Sequence, residues 1–393
     1  MIDTSTARLR YSGRLAFLLT TIVGTNIGYT ALLPYLPRLS ERLGLTATTL
    51  TMFLVGFALA KVAGQPLGGF LADIWGLRTT ALLGLTTAAA GMVLIIVAES
   101  AYPAIAGRLI WGAADGVLTP VLYRALTVIS AEHGRDPASG YAKLGSVAVL
   151  SFAGGPFLVG LVHPFAGYQA VLAGTAALTV VNAVAAWFVL PDRARSRPAE
   201  DEPASGPVRW ATMLRAVAFF GIIDLFANLL WAAMEPLVPL YLELTHPDPT
   251  GRSAWVLGFG MVVFAAANPL IAKLPGRWRM PRMAGPGLAV LGVSTMALSM
   301  VNDLMWGLIA VGFFMVGQAY IYLIARTGIQ QHGGGSGRAW GIFGMFSDTG
   351  LVLGPLVAVW LFEEFDSQVF LALGLGSLAT VALSVAVLGR RPR

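Results

Sequence analysis

Long apolar runs, separated by short polar segments, follow one another along almost the whole chain. A helix needs about 20 apolar residues to cross the core of a bilayer, and twelve runs approach or exceed that length. Glycine and proline are frequent inside them, which membrane helices tolerate because neighbouring helices satisfy the freed backbone groups. We therefore predict an all-α membrane protein of twelve transmembrane helices, at 15–37, 49–72, 79–98, 102–129, 141–162, 168–190, 212–242, 254–273, 284–301, 304–326, 339–362 and 367–389.

The second half of the chain repeats features of the first. Residues 31–37 match residues 233–239 at an offset of 202, with both prolines in register. Gly155, which precedes a proline, matches Gly354 at an offset of 199. The repeat predicts two pseudo-symmetric six-helix bundles. Duplicated bundles bind their substrate between the halves, near the bilayer midplane.

A polar segment divides the chain near its middle. Residues 191–211 combine Pro, Ala and Ser with charges of both signs, a composition typical of a flexible linker. We therefore predict an N-terminal bundle at 1–190, a cytoplasmic linker at 191–211 and a C-terminal bundle at 212–393.

The composition supports a lipid environment and excludes several kinds of site. Residues are 56% hydrophobic and 12% charged, whereas an ordinary soluble domain is about 25% charged. There is no cysteine, so disulfides, thiolate metal sites and cysteine nucleophiles are excluded. The glycine-rich segment 333–338 lacks the Gly-Lys-Ser/Thr of a phosphate-binding loop. We expect no cofactor, no metal site and no enzyme activity.

The positive charges predict the orientation. With the N-terminus in the cytoplasm, 21 of the 26 Lys and Arg residues lie on the cytoplasmic side. Arg38, Arg42 and Arg252 lie outside, while Lys61 and Arg108 lie within the bilayer. The net charge of +6 thus reflects topology and not binding to nucleic acid. We expect a multi-pass protein of the cell membrane with both termini cytoplasmic, whose first apolar run is too long for a signal peptide and is retained.

The connection after the second predicted helix carries a recognisable motif. Residues 69–78 read G-F-L-A-D-I-W-G-L-R, which resembles the loop 2–3 signature of the major facilitator superfamily, with Ile74 and Leu77 in place of basic residues. The resemblance implies gating by Asp73 and Arg78. Asp73 would bind the positive N-terminus of the eleventh predicted helix, which starts near Arg338.

Two further elements resemble the drug/proton antiporters of this family. Arg108, Trp111 and Gly112 look like the R-x-x-q-G element, with Trp111 replacing the usual Gln. Gly155 and Pro156 lie in a stretch similar to the G-x8-G-x3-G-P-x-x-G-G motif of family exporters. The resemblance implies export, a role of this stretch in gating, and a monomer.

Charged residues inside predicted spans cost about 2.5–3.5 kcal/mol each on insertion scales, so they normally face a cavity and carry function. Asp115 shares a helix face with Arg108, the cation expected to act on it, and Asp224 shares one with Glu235. We predict Asp115 and Glu235 as the leading proton carriers, followed by Asp224. An ion pair between Lys61 and Asp348 is predicted as a gate.

Substrate contacts are predicted on the same helix faces. The candidates are polar or amphipathic: Asn26, Tyr29, Trp111, Asn228, Trp231, Gln318 and Tyr322. Aromatic rings with embedded carboxylates suit lipophilic cations, although Lys61 and Arg108 could equally receive an anion.

These observations predict a proton-coupled transporter that exports amphipathic, cationic small molecules across the lipid bilayer by alternating access. The alternative is a dedicated transporter of one metabolite, lipid or siderophore, including an anionic one, or an uptake symporter. A membrane enzyme or a receptor-like binder without transport is the third possibility. The first predicted helix has Asn26 and Tyr29 where some family exporters have an acid.

Overall fold

The computed structural model describes residues 4–162, 165, 167–191, 210–245, 252–279, 283–301, 304–365 and 368–389. Throughout these residues the regular structure is helical, with no β-strand. The predicted linker at 191–211 lies almost wholly outside the described residues, so its boundaries stay a prediction.

Thirteen α-helices cover the described part of the chain. Ten are long and apolar enough to cross a membrane, and two further apolar helices, α10 and α13 below, complete the predicted twelve. The all-α membrane fold is thereby confirmed. The helices are α1 Thr4–Ala31, α2 Leu36–Leu43, α3 Ala47–Ile74, α4 Leu77–Val97, α5 Ala101–Glu132, α6 Pro137–Val162, α7 Tyr168–Val189, α8 Trp210–Thr245, α9 Arg252–Ala272, α10 Ala284–Leu298, α11 Leu304–His332, α12 Gly337–Phe365 and α13 Val369–Gly389.

The first predicted span, 15–37, differs most from the structure. Helix α1 begins earlier and ends at Ala31, and a 3-10 turn at Leu33–Tyr35 leads into the short helix α2. Pro34 lies in the first two residues of the turn, and Pro37 lies in the first two residues of α2. At these positions the missing N–H of proline costs no hydrogen bond. Helix α2 ends at Leu43 and is followed by Gly44, whose φ of 63° is left-handed, as glycine allows.

The chain divides into two compact units. One contains residues 1–214 and 332–345, and the other contains residues 215–331 and 346–393. The start of α12 therefore packs with helices of the first unit although it comes from the second half of the sequence.

In the first unit, glycines bring the backbones of α3 and α5 together. A Cβ at Gly116 would lie 2.2 Å from the carbonyl oxygen of Lys61, and one at Gly112 would lie 2.3 Å from that of Phe57. Small residues permit this close approach of membrane helices. The contact places the backbone of Lys61 directly against the helix that carries Asp115.

One helix contact occurs in both units and confirms the internal repeat. A Cβ at Gly155 of α6 would meet Thr30, Ala31 N and Ile27 O of α1. A Cβ at Gly354 of α12 would meet Ala232, Ala233 N and Leu229 O of α8. The two sets of contacted positions are related by the offset of 202 that the sequence repeat predicted.

We expect Gly155→Ala to destabilise the protein while its neighbour tolerates the same change. The added methyl would lie 1.9 Å from Thr30 Oγ1 at Gly155, but 4.0 Å from Ile27, its nearest neighbour, at Gly154. Overpacking of this kind costs about 1–3 kcal/mol. Thermal unfolding of the purified protein in detergent measures the effect, and equal midpoints for the two variants would contradict the packing described here.

Candidate functional site

Lys61 and Asp115 form an ion pair in the first unit. Lys61 Nζ lies 2.9 Å from Asp115 Oδ2, and the Asp115 residue is 8% exposed. The structure thus places Lys61, and not Arg108, against Asp115. The reason is the glycine contact between α3 and α5, whereas Arg108 lies seven residues away on α5, about 10 Å along its axis.

Arg108 occupies a cage of aromatic side chains. Its Cζ lies 4.8 Å from the ring centre of Tyr29, 5.0 Å from Phe53, 4.6 Å from Phe57 and 5.4 Å from Trp111. Both Arg108 and Trp111 are 0% exposed. In this conformation Trp111, a predicted substrate contact, therefore packs inside the cage and borders no open space.

The two predicted substrate contacts of α1 lie at partly exposed positions. Tyr29 is half-buried and packs on Phe57, with 4.7 Å between ring centres, and on Phe152 at 5.6 Å. Asn26, also half-buried, donates a hydrogen bond from Nδ2 to Ala148 O at 3.1 Å. Both side chains are therefore partly accessible in this conformation.

Asp224 and Arg326 form the corresponding pair of the second unit. Arg326 Nη1 lies 2.9 Å from Asp224 Oδ1, and the two residues are 5% and 1% exposed. Sequence reasoning missed Arg326, because it was assigned to the cytoplasmic surface. Its spacing from Gln318 and Tyr322, at i+8 and i+4, could have placed it on their face of α11.

Predicted substrate contacts of the second unit join this pair in one network. Asn228 Nδ2 donates to Asp224 Oδ2 at 3.1 Å and to Ser347 Oγ at 2.8 Å, and Asn228 Oδ1 accepts from Gln318 Nε2 at 3.3 Å. Helices α8, α11 and α12 all contribute to the network. We call these residues the polar network: Asp224, Asn228, Gln318, Arg326 and Ser347.

Aromatic rings extend along one side of the polar network. Arg326 Cζ lies 3.6 Å from the ring centre of Tyr322. Phe264 packs edge-on against Tyr322 and Trp231, with 5.8 and 5.6 Å between ring centres. Sequence reasoning had named Tyr322 and Trp231 but not Phe264, which joins them.

The two remaining acids predicted inside the membrane, Glu235 of α8 and Asp348 of α12, differ in their exposure. Glu235 is exposed and forms no ion pair within the described residues. Asp348 is buried, at 8% exposure. Its pairing with Lys61 stays a prediction, as do the proton-carrying roles of Asp115, Glu235 and Asp224.

Asp73 holds the start of α12 in the first unit. Its Oδ1 accepts a hydrogen bond from Gly337 N at 2.8 Å, and its Oδ2 accepts one from Arg338 N at 3.0 Å. Arg124 Nη1 also lies 2.6 Å from Asp73 Oδ1. The expected contact with the helix N-terminus is present, and Arg124, which sequence reasoning counted only as a topological charge, reinforces it.

Packing around Asp73 brings the same segments together. A Cβ at Gly69 would lie 2.1 Å from Gly337 O, so the motif glycine lets the backbones of α3 and α12 touch. Deeper along α12, Trp340 stacks on Tyr123, with 5.1 Å between ring centres and 12° between planes.

Arg78 contacts a different helix end. Its Nε and Nη2 donate to Leu190 O at 3.1 and 3.0 Å, and its guanidinium lies 5.5 Å from the ring centre of Trp187. Basic side chains stabilise helix C-termini in this way. The structure therefore gives Arg78 a contact with the end of α7, separate from the cluster around Asp73.

We expect Asp224→Asn to destabilise the protein strongly, because it leaves Arg326 buried without its carboxylate. Breaking one side of a buried pair costs about 3–5 kcal/mol. The double variant Asp224→Asn/Arg326→Gln is expected to recover part of the loss. The pair of Arg14 and Glu132, whose side chains are 25% and 35% exposed, is the control, since exposed pairs contribute about 0–1 kcal/mol. Thermal unfolding in detergent compares all variants, and a double variant less stable than Asp224→Asn would contradict the pairing.

Comparison with known proteins agrees with this architecture. The family model of the Major Facilitator Superfamily matches residues 17–355. The quinolone resistance protein NorA of Staphylococcus aureus (strain COL) is 23% identical over 371 residues, covering 91% of this chain and 92% of NorA. An uncharacterized MFS-type transporter of Yersinia pestis is 27% identical over 144 residues, covering 37% of this chain and 36% of that protein.

A solved structure shows the same fold. The crystal structure of the human organic anion transporter MFSD10 (TETRAN) superposes with a TM-score of 0.77 at 14% identity, covering 95% of this chain and 99% of that one. At this identity the likeness concerns the fold alone. The family match extends over most of the chain, and it agrees with the helices and the repeat described above. This multi-pass membrane protein therefore belongs to the major facilitator superfamily and is a transporter.

Proposed function

We propose that the protein is a proton-coupled exporter of amphipathic, cationic small molecules that works by alternating access. One observation carries the proposal. Each unit holds, within its membrane-spanning helices, an acid paired with a basic side chain at 2.9 Å: Asp115 with Lys61, and Asp224 with Arg326.

An acid–base pair inside the membrane can couple a proton to a change of conformation. Protonation of Asp115 would remove its negative charge and so weaken its attraction for Lys61. Because a buried charge depends on its charged neighbours, the protonated protein would favour a different arrangement of α3 and α5. A proton then shifts the population between conformations.

Of the two pairs, that of the first unit is better suited to exchange protons. The side chains of Lys61 and Asp115 are 22% and 11% exposed, whereas those of Arg326 and Asp224 are 6% and 2% exposed. Lysine can also lose its proton when desolvated, which arginine does not. Asp115 therefore stays ahead of Asp224 as the proposed carrier, with Asp224 holding the polar network in place.

Glu235 is the proposed acid for a cationic substrate and a second proton carrier. It is exposed and has no basic partner within the described residues. Trp231 lies one helical turn before it on α8, and an aromatic ring beside a carboxylate suits a lipophilic cation.

Export is the direction favoured by sequence similarity. NorA, whose name describes resistance to quinolones, matches 91% of the chain. The stretch around Gly155 resembles the exporter motif, and in the structure this glycine sets the contact of α6 with α1. With the predicted orientation, the cluster around Asp73 lies on the cytoplasmic side of the cell membrane, where its release would open the protein to the cytoplasm.

We expect Asp115→Asn and Glu235→Gln each to abolish proton-driven transport. Purified protein is reconstituted in liposomes with an imposed pH gradient and an internal pH dye, and tetraphenylphosphonium is added. The wild-type protein should dissipate the gradient, and each variant should fall to the rate of empty liposomes because a neutral amide cannot carry the proton. Glu132→Gln, which removes an acid in the exposed pair with Arg14, should behave as wild type.

Full activity of both variants would refute the assignment of the carriers. Dissipation by an anionic metabolite, with none by any lipophilic cation, would favour the dedicated transporter instead.

We expect Asp73→Asn to open the protein at the start of α12, because the amide binds the helix N-terminus and Arg124 less strongly than a carboxylate does. The absence of cysteine allows a single reporter, Ala72→Cys. Ala72 is 1% exposed, and its Cβ would lie 3.2 Å from a Cβ at Gly337. Labelling by an impermeant maleimide in inside-out vesicles should be slow with Asp73 and several-fold faster with Asp73→Asn.

Asp136→Asn is the control for this experiment. It also removes an acid, but Asp136 Oδ1 accepts a hydrogen bond from Ala138 N at the start of α6. Its labelling rate should match that of Ala72→Cys alone. Equal labelling of the Asp73 and Asp136 variants would show that Asp73 does not close this side.

A further inference from the structure

Arg108 is a buried cation whose hydrogen-bonding groups are mostly unsatisfied. Its Nε donates to Phe53 O at 3.3 Å. Both Nη atoms have no hydrogen-bond partner among the described residues, and the same is true of Trp111 Nε1 in the same cage. All three unsatisfied nitrogen atoms are donors, so the cage supplies fewer acceptors than its donors need.

The aromatic rings of the cage only partly compensate for this. Ring faces attract a cation, but they do not replace the hydrogen bonds that four N–H groups on the two Nη atoms would make in water. A buried, unpaired polar group is costly, and a buried, unpaired charge is more so.

The other two membrane-embedded cations discussed above show what is missing. Lys61 and Arg326 each have a carboxylate oxygen at 2.9 Å. Arg108 has no carboxylate in this position within the described part of the chain. The protein has thus buried a guanidinium without supplying the anion that normally accompanies one.

We propose that Arg108 and Trp111 form a subsite for a planar oxyanion group, such as a carboxylate, on an aromatic molecule that the protein transports. The proposal rests on the transport function proposed above and adds an anionic group to the substrate. The two Nη atoms of an arginine match the two oxygens of a carboxylate. The rings of Phe57 and Tyr29 would pack against the aromatic body of the ligand.

The cage has one wall that can open. Phe53 and Phe57 are 0% and 6% exposed, whereas Tyr29 is half-buried and belongs to α1. Helix α1 fits closely over the cage, since a Cβ at Gly28 would lie 3.1 Å from the Trp111 ring. A shift of α1, or a rotation of the Tyr29 side chain, would therefore expose Arg108 to a ligand.

Equilibrium binding of two matched probes tests the proposal. The full-length protein in lipid nanodiscs is titrated with radiolabelled 1-naphthoate and with its neutral analogue 1-naphthamide. Arg108→Gln should weaken binding of naphthoate by about tenfold or more, as expected for loss of a bidentate charge-assisted pair, and leave binding of naphthamide unchanged. Arg108→Lys should fall between, because it keeps the charge but loses the planar fork.

Arg135→Gln is the matched control. Arg135 is exposed and lies 4.4 Å from the ring centre of Tyr11, outside the predicted spans. This variant removes one positive charge and an aromatic contact, and it should bind both probes as the wild-type protein does.

Naphthoate affinity that is equal in the wild-type protein and Arg108→Gln would overturn the proposal. So would chloride binding that depends on Arg108 without any such dependence for naphthoate, since the occupant would then be an inorganic ion. If Arg108→Gln does not fold, Arg108→Lys decides, and unchanged naphthoate affinity in that variant overturns the proposal. The measurement needs no pH gradient, so a failure of proton coupling leaves its outcome intact.

Discussion

A charge inside the apolar core of a bilayer needs a partner, and this requirement organises both units of the protein. Asp115 with Lys61 and Asp224 with Arg326 each satisfy it with a contact of 2.9 Å. Such pairs add little net stability, because desolvation offsets much of the attraction. Their proposed value lies in the response to a proton, which would remove one charge and weaken the pair.

Close helix packing decides which charges meet. Glycines on α5 let the backbone of α3 approach to van der Waals contact, and this brings Lys61 to Asp115. At the other end of α3, Gly69 allows the start of α12 to reach Asp73. Helix α3 thus contributes Lys61 to the pair proposed to bind a proton and Asp73 to the contact proposed to close the protein. A movement of α3 relative to α5 would affect both.

Much of the architecture follows from the sequence through simple periodicity and length. Apolar runs of about 20 residues predict spans because the bilayer has a fixed thickness, and the repeat predicts equivalent contacts at Gly155 and Gly354. Local spacing also placed Asp224 and Asn228 on one face of a helix. It could not show that Arg326 completes their network, because that residue comes from α11, about 100 residues later in the chain.

The sequence by itself determined the number of spans, the internal repeat and most of the charges within the membrane, because these depend on the bilayer and on residues near one another in the chain; Arg326 was the exception. Only the tertiary structure decided that Lys61 and not Arg108 pairs with Asp115, that Arg124 joins Asp73, and that Arg108 lies in an aromatic cage with both Nη atoms unsatisfied. These partners come from different helices. Their distances depend on how closely the helices pack and on which faces they turn to each other, and spacing along a single helix carries no such information.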